Sequence, residues 1–150
     1  MLDKITKTDA EWRRILTPEQ YRVTRQKGAE PAHADGRRKI IGDGVFRCVC
    51  CNAPLFSSRD KFSEPEWWPT FRQPIAPDRI ATRVDVHRFI VRSEVLCSRC
   101  DAHLGYVYED GRPPTGMRYY INATAVIFSG RYGEPSRPPW SLELLSQLLR

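Results

Sequence analysis

The stretches "CVCC" (residues 48–51) and "CSRC" (residues 97–100) decide how this chain folds. Each contains a Cys-x-x-Cys pair, and four thiolates from two such pairs form a tetrahedral site suited to zinc. Four protein ligands leave no open position for water, so the spacing predicts a structural metal held by Cys48, Cys51, Cys97 and Cys100. Four unconnected buried cysteines are the alternative, but the paired spacing favours the metal site.

The fifth cysteine, Cys50, makes the cysteine count odd, which argues against a closed disulfide framework. It stands next to a predicted ligand but on the opposite side of the chain. We therefore expect Cys50 to be a small buried residue rather than a reactive thiol.

Two short helices are predicted near the N-terminus, because each has its own start signal. Thr8 followed by Glu11 forms a capping box, in which each residue caps a backbone amide of the other. Thr17 and Gln20 repeat the device, with Pro18 at the first helical position.

The rest of the pattern predicts short strands rather than further helices. These segments are too short and too evenly spaced for parallel units with crossover helices. We expect a mainly β fold, an antiparallel sheet or barrel with short peripheral helices. The predicted metal would connect the strand over Val45–Cys50 to the strand over Phe89–Leu96. The predicted strands are Val45–Cys50, Phe89–Leu96, Gly105–Tyr108 and Arg118–Phe128.

The last of these strands, within "MRYYINATAVIF" (residues 117–128), alternates strictly between polar and apolar side chains. Such a strand is half buried, so its polar face meets either bulk water or a pocket. The polar set is Arg118, Tyr120, Asn122 and Thr124.

Residues 131–150 differ from the rest, with a linker-like run followed by a short amphipathic helix. Its leucines recur at helical spacing, which gives the segment one apolar face. Two roles for that face stay open: docking on its own domain, or self-association. The leucines are Leu142, Leu145, Leu148 and Leu149.

The whole chain has the length of one domain, 150 residues. No apolar run approaches the ~20 residues needed to cross a bilayer, and the start lacks a secretory signal pattern. We therefore expect a cytoplasmic protein with no membrane partner. The formal net charge of +6 would suit nucleic acid, but no stacking motif accompanies it, so a solvated basic surface is the preferred interpretation.

Taken together, these motifs resemble the methionine-R-sulfoxide reductase B family, which has the SelR-like fold. The resemblance runs from about Thr8 to Phe128 and includes "EWRRILTPEQYRVTRQKGAEP", "FRCVCCNAPLFSS", "CSRCDAHLG" and "DGRPPTGMRYYIN". It implies a family domain over residues 1–130, built as an antiparallel β structure pinned by zinc.

The resemblance also implies a chemistry that this sequence lacks. In the family, a cysteine on the closing strand attacks the sulfoxide sulfur, and a second cysteine, where present, resolves the sulfenic acid as a disulfide. The position of the nucleophile is Tyr120 here, and the usual resolving position is Glu66. A phenol cannot cycle through sulfenic acid and disulfide.

Other positions of the family's pocket are retained in part. By resemblance, Trp68 packs on the substrate methyl group, and His103 and Asn122 match a histidine and an asparagine of the pocket. A second histidine is replaced by Tyr106, and a stretch of small residues is replaced by "HRFI" from His87 onward. Arg92 and Glu94 also match the family.

Because the changes cluster at one site, we favour an enzyme whose pocket has been repurposed for acid–base chemistry on a small molecule. The predicted catalytic residues are His103, Tyr120, Asn122 and Tyr106. The predicted substrate-binding residues are Trp68, Glu66, His87 and Arg92.

Three alternatives stay open. The first is an inactive relative that binds oxidised methionine or another small ligand, with its aromatic side chains forming a cage. The second is residual sulfoxide reduction through Cys50, and the third is a nucleic-acid-binding zinc protein.

Overall fold

The computed structural model describes residues 3–29, 43–63 and 69–130. Two helices come first, α1 over Asp9–Ile15 and α2 over Pro18–Arg25, and both predicted capping boxes are present. The Thr8 hydroxyl accepts from the Glu11 amide, and the Glu11 carboxylate accepts from the Thr8 amide. Each helix therefore satisfies its exposed N-terminal donors with its own side chains.

In the part of the chain that the structure describes, eight strands follow and form two antiparallel sheets, which confirms the mainly β prediction. One sheet has three strands in the order β2-β1-β8, and the other has five in the order β3-β7-β6-β5-β4. The strands are β1 Gly44–Cys48, β2 Pro54–Ser57, β3 Thr70–Phe71, β4 Ile80–His87, β5 Ile90–Cys97, β6 His103–Glu109, β7 Met117–Ile121 and β8 Val126–Gly130. No helix among the described residues is long and apolar enough to span a membrane.

The single strand expected over Arg118–Phe128 is wrong. After β7 the chain makes one turn of 3-10 helix over Ala123–Ala125, closed by a hydrogen bond from the Ala125 amide to the Asn122 carbonyl at 3.0 Å. The chain then continues as β8 in the other sheet. The alternating pattern runs through this break, because both halves have one buried face.

The sequence did not predict β4. This strand pairs with β5 along its whole length, and the turn between them is Arg88-Phe89, with φ of 48° and 68°. Phe89, predicted as the start of β5, is therefore a turn residue. Glycine and asparagine normally fill such left-handed turn positions, so the turn gave no sequence signal.

The core lies between the two sheets. Phe56 of β2 stacks on Phe71 of β3, with ring centres 4.4 Å apart. Phe46 of β1 meets the same ring edge-on at 4.9 Å. These aromatic contacts leave the opposite face of the five-stranded sheet free to form a cavity against the segment after α2.

Candidate functional site

The four predicted metal ligands lie together. Their sulfur atoms are all within 4.8 Å of one another, and the Cys48–Cys100 and Cys51–Cys97 pairs are each 3.6 Å apart. A tetrahedral zinc with Zn–S bonds of ~2.3 Å places its sulfur ligands ~3.8 Å apart. The cluster therefore fits zinc, and all four positions are taken by protein.

The two cysteine pairs are built alike. In each, the amide four residues after the first cysteine donates back to that cysteine's carbonyl, Asn52 to Cys48 at 2.8 Å and Asp101 to Cys97 at 2.9 Å. Asn52 and Asp101 both have left-handed backbones, with φ of 66° and 62°. Such tight turns bring the two sulfur atoms of each pair to one point, at the end of β1 and of β5.

Cys50 is buried, as expected. It is 4 % exposed, and its Sγ contacts the Thr24 hydroxyl of α2 at 3.3 Å. The thiol therefore helps to pack α2 against the metal site.

A cavity of about 310 Å³ opens between the residues after α2 and the strands β4 to β7. Among the predicted site residues, its lining includes His87, Arg92, His103, Tyr106, Tyr120 and Asn122. Glu66 and Trp68 lie outside the described residues. Arg118, from the predicted polar face, is absent from the lining and lies against Asp110 at 2.8 Å.

The base of the cavity holds a histidine–carboxylate pair. Nδ1 of His103 lies 2.6 Å from Oε2 of Glu94, and both residues are almost fully buried. Arg83 donates two hydrogen bonds to the other Glu94 oxygen, at 3.1 Å and 2.9 Å. Lys27 reaches the same oxygen at 3.3 Å.

These contacts set the protonation of the pair. Burial favours a neutral carboxyl, but the hydrogen bonds from His103 and Arg83 outweigh it and hold the pKa of Glu94 below its ordinary value. Burial lowers the pKa of His103 in spite of the nearby carboxylate. At neutral pH the imidazole is therefore neutral, donates from Nδ1 to Glu94, and keeps Nε2 as a proton acceptor.

Asp85 of β4 organises the side of the cavity. Its carboxylate contacts Lys27 at 3.0 Å, Arg92 at 3.2 Å and the Tyr106 hydroxyl at 3.3 Å. The hydrogen bond from Lys27 lowers the pKa of Asp85 against the effect of burial. The Arg92 guanidinium also lies over the Tyr106 ring, 4.0 Å from its centre.

Sequence reasoning missed Lys27 and Asp85 as members of the site. Asp85 lies on the unpredicted strand β4, directly opposite Arg92. Lys27 follows α2 and has a φ of 59°. A lysine gives no sequence signal for this left-handed conformation. The sequence signal that could have found Asp85 is its charge, which is opposite to that of Arg92 on the other side of a short turn.

Tyr120 lies on β7, opposite Tyr106 of β6 and Thr70 of β3. Its ring meets Tyr108 edge-on at 5.6 Å. Asn122 follows the last residue of β7, and both its backbone amide and its Nδ2 donate to the Leu104 carbonyl, at 2.8 Å and 3.1 Å. The cavity is thus lined by two phenols, by the imidazoles of His87 and His103 and by the Asn122 amide, together with the charged groups of Lys27, Asp85 and Arg92.

A family model described as "SelR domain" matches residues 16–130. The chain belongs to this family, the methionine-R-sulfoxide reductase B family. The resemblance seen in the sequence is thereby confirmed, and so are the fold and the zinc site that it implied.

Curated relatives agree with this assignment. The chain is 44% identical over 133 residues to "Peptide methionine sulfoxide reductase MsrB" of Hahella chejuensis, covering 89% of this chain and 96% of that protein. It is 46% identical over 125 residues to the protein of that name from Pseudomonas fluorescens, covering 83% and 96% of the two chains. A third, from Thiobacillus denitrificans, is 46% identical over 122 residues and covers 81% and 92%.

Proposed function

We propose that this member of the methionine-R-sulfoxide reductase B family uses its cavity for acid–base chemistry on a small molecule and not for thiol-dependent reduction. One observation carries the proposal: the cavity is lined by Tyr120 and His103, and none of the chain's cysteines is among its lining residues. All five cysteines lie in the described part of the chain.

The placement of the thiols supports the absence of sulfoxide reduction. Four of them belong to the metal cluster, where the thiolate charge is shared with the ion. Cys50 is packed against Thr24. A nucleophilic thiol needs an accessible thiolate beside the substrate, and Cys50 offers neither access nor proximity.

The proton chemistry is assigned to His103. Its Nδ1 is held by Glu94, so the ring is fixed in one tautomer and its other nitrogen accepts a proton. Tyr120 would hydrogen-bond the reacting centre, with Tyr106 and Asn122 beside it. His87 and Arg92, together with Trp68 and Glu66, would bind the substrate.

A molecule resembling methionine sulfoxide is the first substrate to test, since the curated relatives carry that substrate in their names. The small size of the cavity supports a small polar molecule with an apolar part. We also propose a cytoplasmic location, because four metal-bound thiolates suit a reducing compartment.

The test compares turnover with binding. With dithiothreitol or thioredoxin, the wild-type protein should form no methionine from methionine-R-sulfoxide above background. Reduction that disappears in Cys50→Ser would contradict the proposal and establish a thiol route through Cys50.

To test the proposed acid–base chemistry, a substrate must first be found. A panel of small polar molecules can be screened for binding by thermal shift. A compound that is converted should lose conversion in His103→Gln and in Tyr120→Phe, while both variants keep their zinc. Conversion that is unchanged in both variants would refute the assigned roles.

A binding protein without turnover is the second candidate. The two phenols that line the cavity, Tyr106 and Tyr120, favour it, because aromatic faces receive methyl-bearing groups well. Methionine-R-sulfoxide that binds to the wild-type protein in calorimetry and is recovered unchanged would support this candidate over the enzyme.

A further inference from the structure

The outer edge of the five-stranded sheet is exposed and apolar. Its edge strand β4 has eight residues without proline or glycine, and among the described residues it pairs with β5 alone. Of the seven exposed large hydrophobic side chains in the described part of the chain, five lie on the β4–β5 hairpin: Val84, Val86, Phe89, Ile90 and Val91. A long edge strand of this kind is a template for pairing with another strand.

The hairpin turn determines which backbone groups face outward. His87 and Ile90 close the two-residue turn, so the Ile90 amide donates to the His87 carbonyl. Hydrogen-bonded positions alternate along an antiparallel pair. The amides and carbonyls that face away from β5, and that no strand of the described residues pairs, therefore belong to Thr82, Val84 and Val86.

We propose that a second copy of this chain pairs antiparallel with β4, with the two-fold axis at Val84. Such a pairing is self-complementary, as an isologous interface must be. It would join the two five-stranded sheets edge to edge. The occupant of the edge is thus the same strand, Ile80–His87, from another molecule.

Charge selects this register among those that use the full strand. An axis at Arg83 would oppose two arginines, and an axis at Asp85 would oppose two aspartates, which is destabilising. An axis at Val84 instead sets Arg83 of each copy opposite Asp85 of the other. The Arg83 side chain is 63% exposed, so its guanidinium is accessible to the second copy.

The same register pairs the exposed valines. Val84, 70% exposed, faces Val84 of the second copy, and Val86, 64% exposed, faces Thr82. β-branched side chains in direct cross-strand contact stabilise a sheet. The interface would also adjoin the cavity, because Asp85 lines it and Arg83 holds Glu94.

Sedimentation of the full chain over a concentration series tests the proposal. The wild-type protein should dimerise, and Val84→Lys should raise the dimer dissociation constant at least about tenfold, because it opposes two like charges on the axis. Circular dichroism and zinc content should stay unchanged, since Val84 is exposed. A wild-type monomer at every concentration, or a dimer unaffected by Val84→Lys, would overturn the proposal.

A matched pair of cysteine variants tests the register. Val84 and Val91 are equally exposed, at 70% and 69%, but only Val84 lies on the proposed axis. Oxidation with diamide should link Val84→Cys into a disulfide dimer and leave Val91→Cys unlinked. Equal linkage of the two variants, or linkage of Val91→Cys alone, would exclude this arrangement.

Discussion

Glu94 carries its negative charge where water does not reach it. Its side chain is 1% exposed, and burying a carboxylate is costly unless charges and hydrogen bonds compensate it. That compensation comes from Arg83 of β4, from Lys27 in the segment after α2 and from His103 of β6. The carboxylate therefore fixes the position of His103 relative to the sheet, and with it Nε2, the nitrogen that we propose as the proton acceptor.

The lowered pKa of His103 predicts how the stability of the protein depends on pH. Because the folded state holds this imidazole neutral, the unfolded chain binds more protons as the pH falls below 6.5, the ordinary pKa of a histidine. The stability contributed by neutral His103 is thus complete above that pH and is lost as the pH falls towards the folded pKa. The loss has a maximum slope of about 1.4 kcal/mol per pH unit.

His103→Gln should therefore flatten the dependence of unfolding free energy on pH just below 6.5, as measured by urea denaturation. Glutamine can still donate to Glu94, so the variant removes the titration and keeps the hydrogen bond. The groups around His103, namely Glu94, Tyr106, Lys27 and Asp85, are unchanged. His87→Gln, which removes an exposed histidine and leaves the His103–Glu94 pair in place, is the matched control. Identical slopes in all three proteins would contradict the lowered pKa.

Among the elements, β6 and β7 are held unusually close to one another. A Cβ atom on Gly105 would lie only 1.9 Å from the Tyr120 carbonyl oxygen, a backbone atom that cannot turn away. Gly105 and Tyr120 both line the cavity, so this close approach fixes the position of the Tyr120 backbone at the cavity wall.

Gly105→Ala should therefore destabilise the fold by about 3 kcal/mol, since the two strands must separate to admit the methyl group. Urea denaturation followed by circular dichroism measures the effect. Gly130→Ala is the control, because no atom of the described residues lies within 4 Å of its added Cβ, and it should change stability little. Equal midpoints for the two variants would show that the close approach is not required.

Local signals in the sequence predicted the elements whose causes are local. The capping boxes at Thr8 and Thr17 lie within one turn of the helices they start, and both form as expected. Strand β4 does alternate in the manner of a strand, but six of its eight side chains are exposed, and the left-handed turn that joins it to β5 contains neither glycine nor asparagine, so the hairpin was missed. The break at Asn122 depends on where the second sheet lies, which no short pattern encodes.

The site shows the same division between local and tertiary causes. Positions carried by recognisable motifs, such as His103 and Tyr120, were predicted as site residues and line one cavity. Lys27 and Asp85 were not predicted, since they enter the site only through the packing of the segment after α2 against β4. Residues 131–150, with their predicted leucine face, lie outside the described residues, and their docking stays a prediction.

In the molecule as a whole, the metal cluster joins the two sheets. Cys48 ends β1 of the three-stranded sheet, and Cys97 ends β5 of the five-stranded sheet. The aromatic contacts of Phe46, Phe56 and Phe71 join the same two sheets through the core. The two sheets are thus connected both by apolar contacts in the core and by the metal cluster.

Removing the metal should show how much the metal cluster contributes to stability in addition to the aromatic core. Purified protein should hold one zinc per chain by elemental analysis, and Cys48→Ser should lose the zinc and several kcal/mol of stability, because metal binding is coupled to folding. A strong chelator should also lower the melting temperature of the wild-type protein. Cys50→Ser is the matched control: Cys50 adjoins the cluster without belonging to it, so this variant should keep its zinc. Well-folded wild-type protein without zinc, or equal zinc loss in both variants, would contradict the assignment of the four ligands.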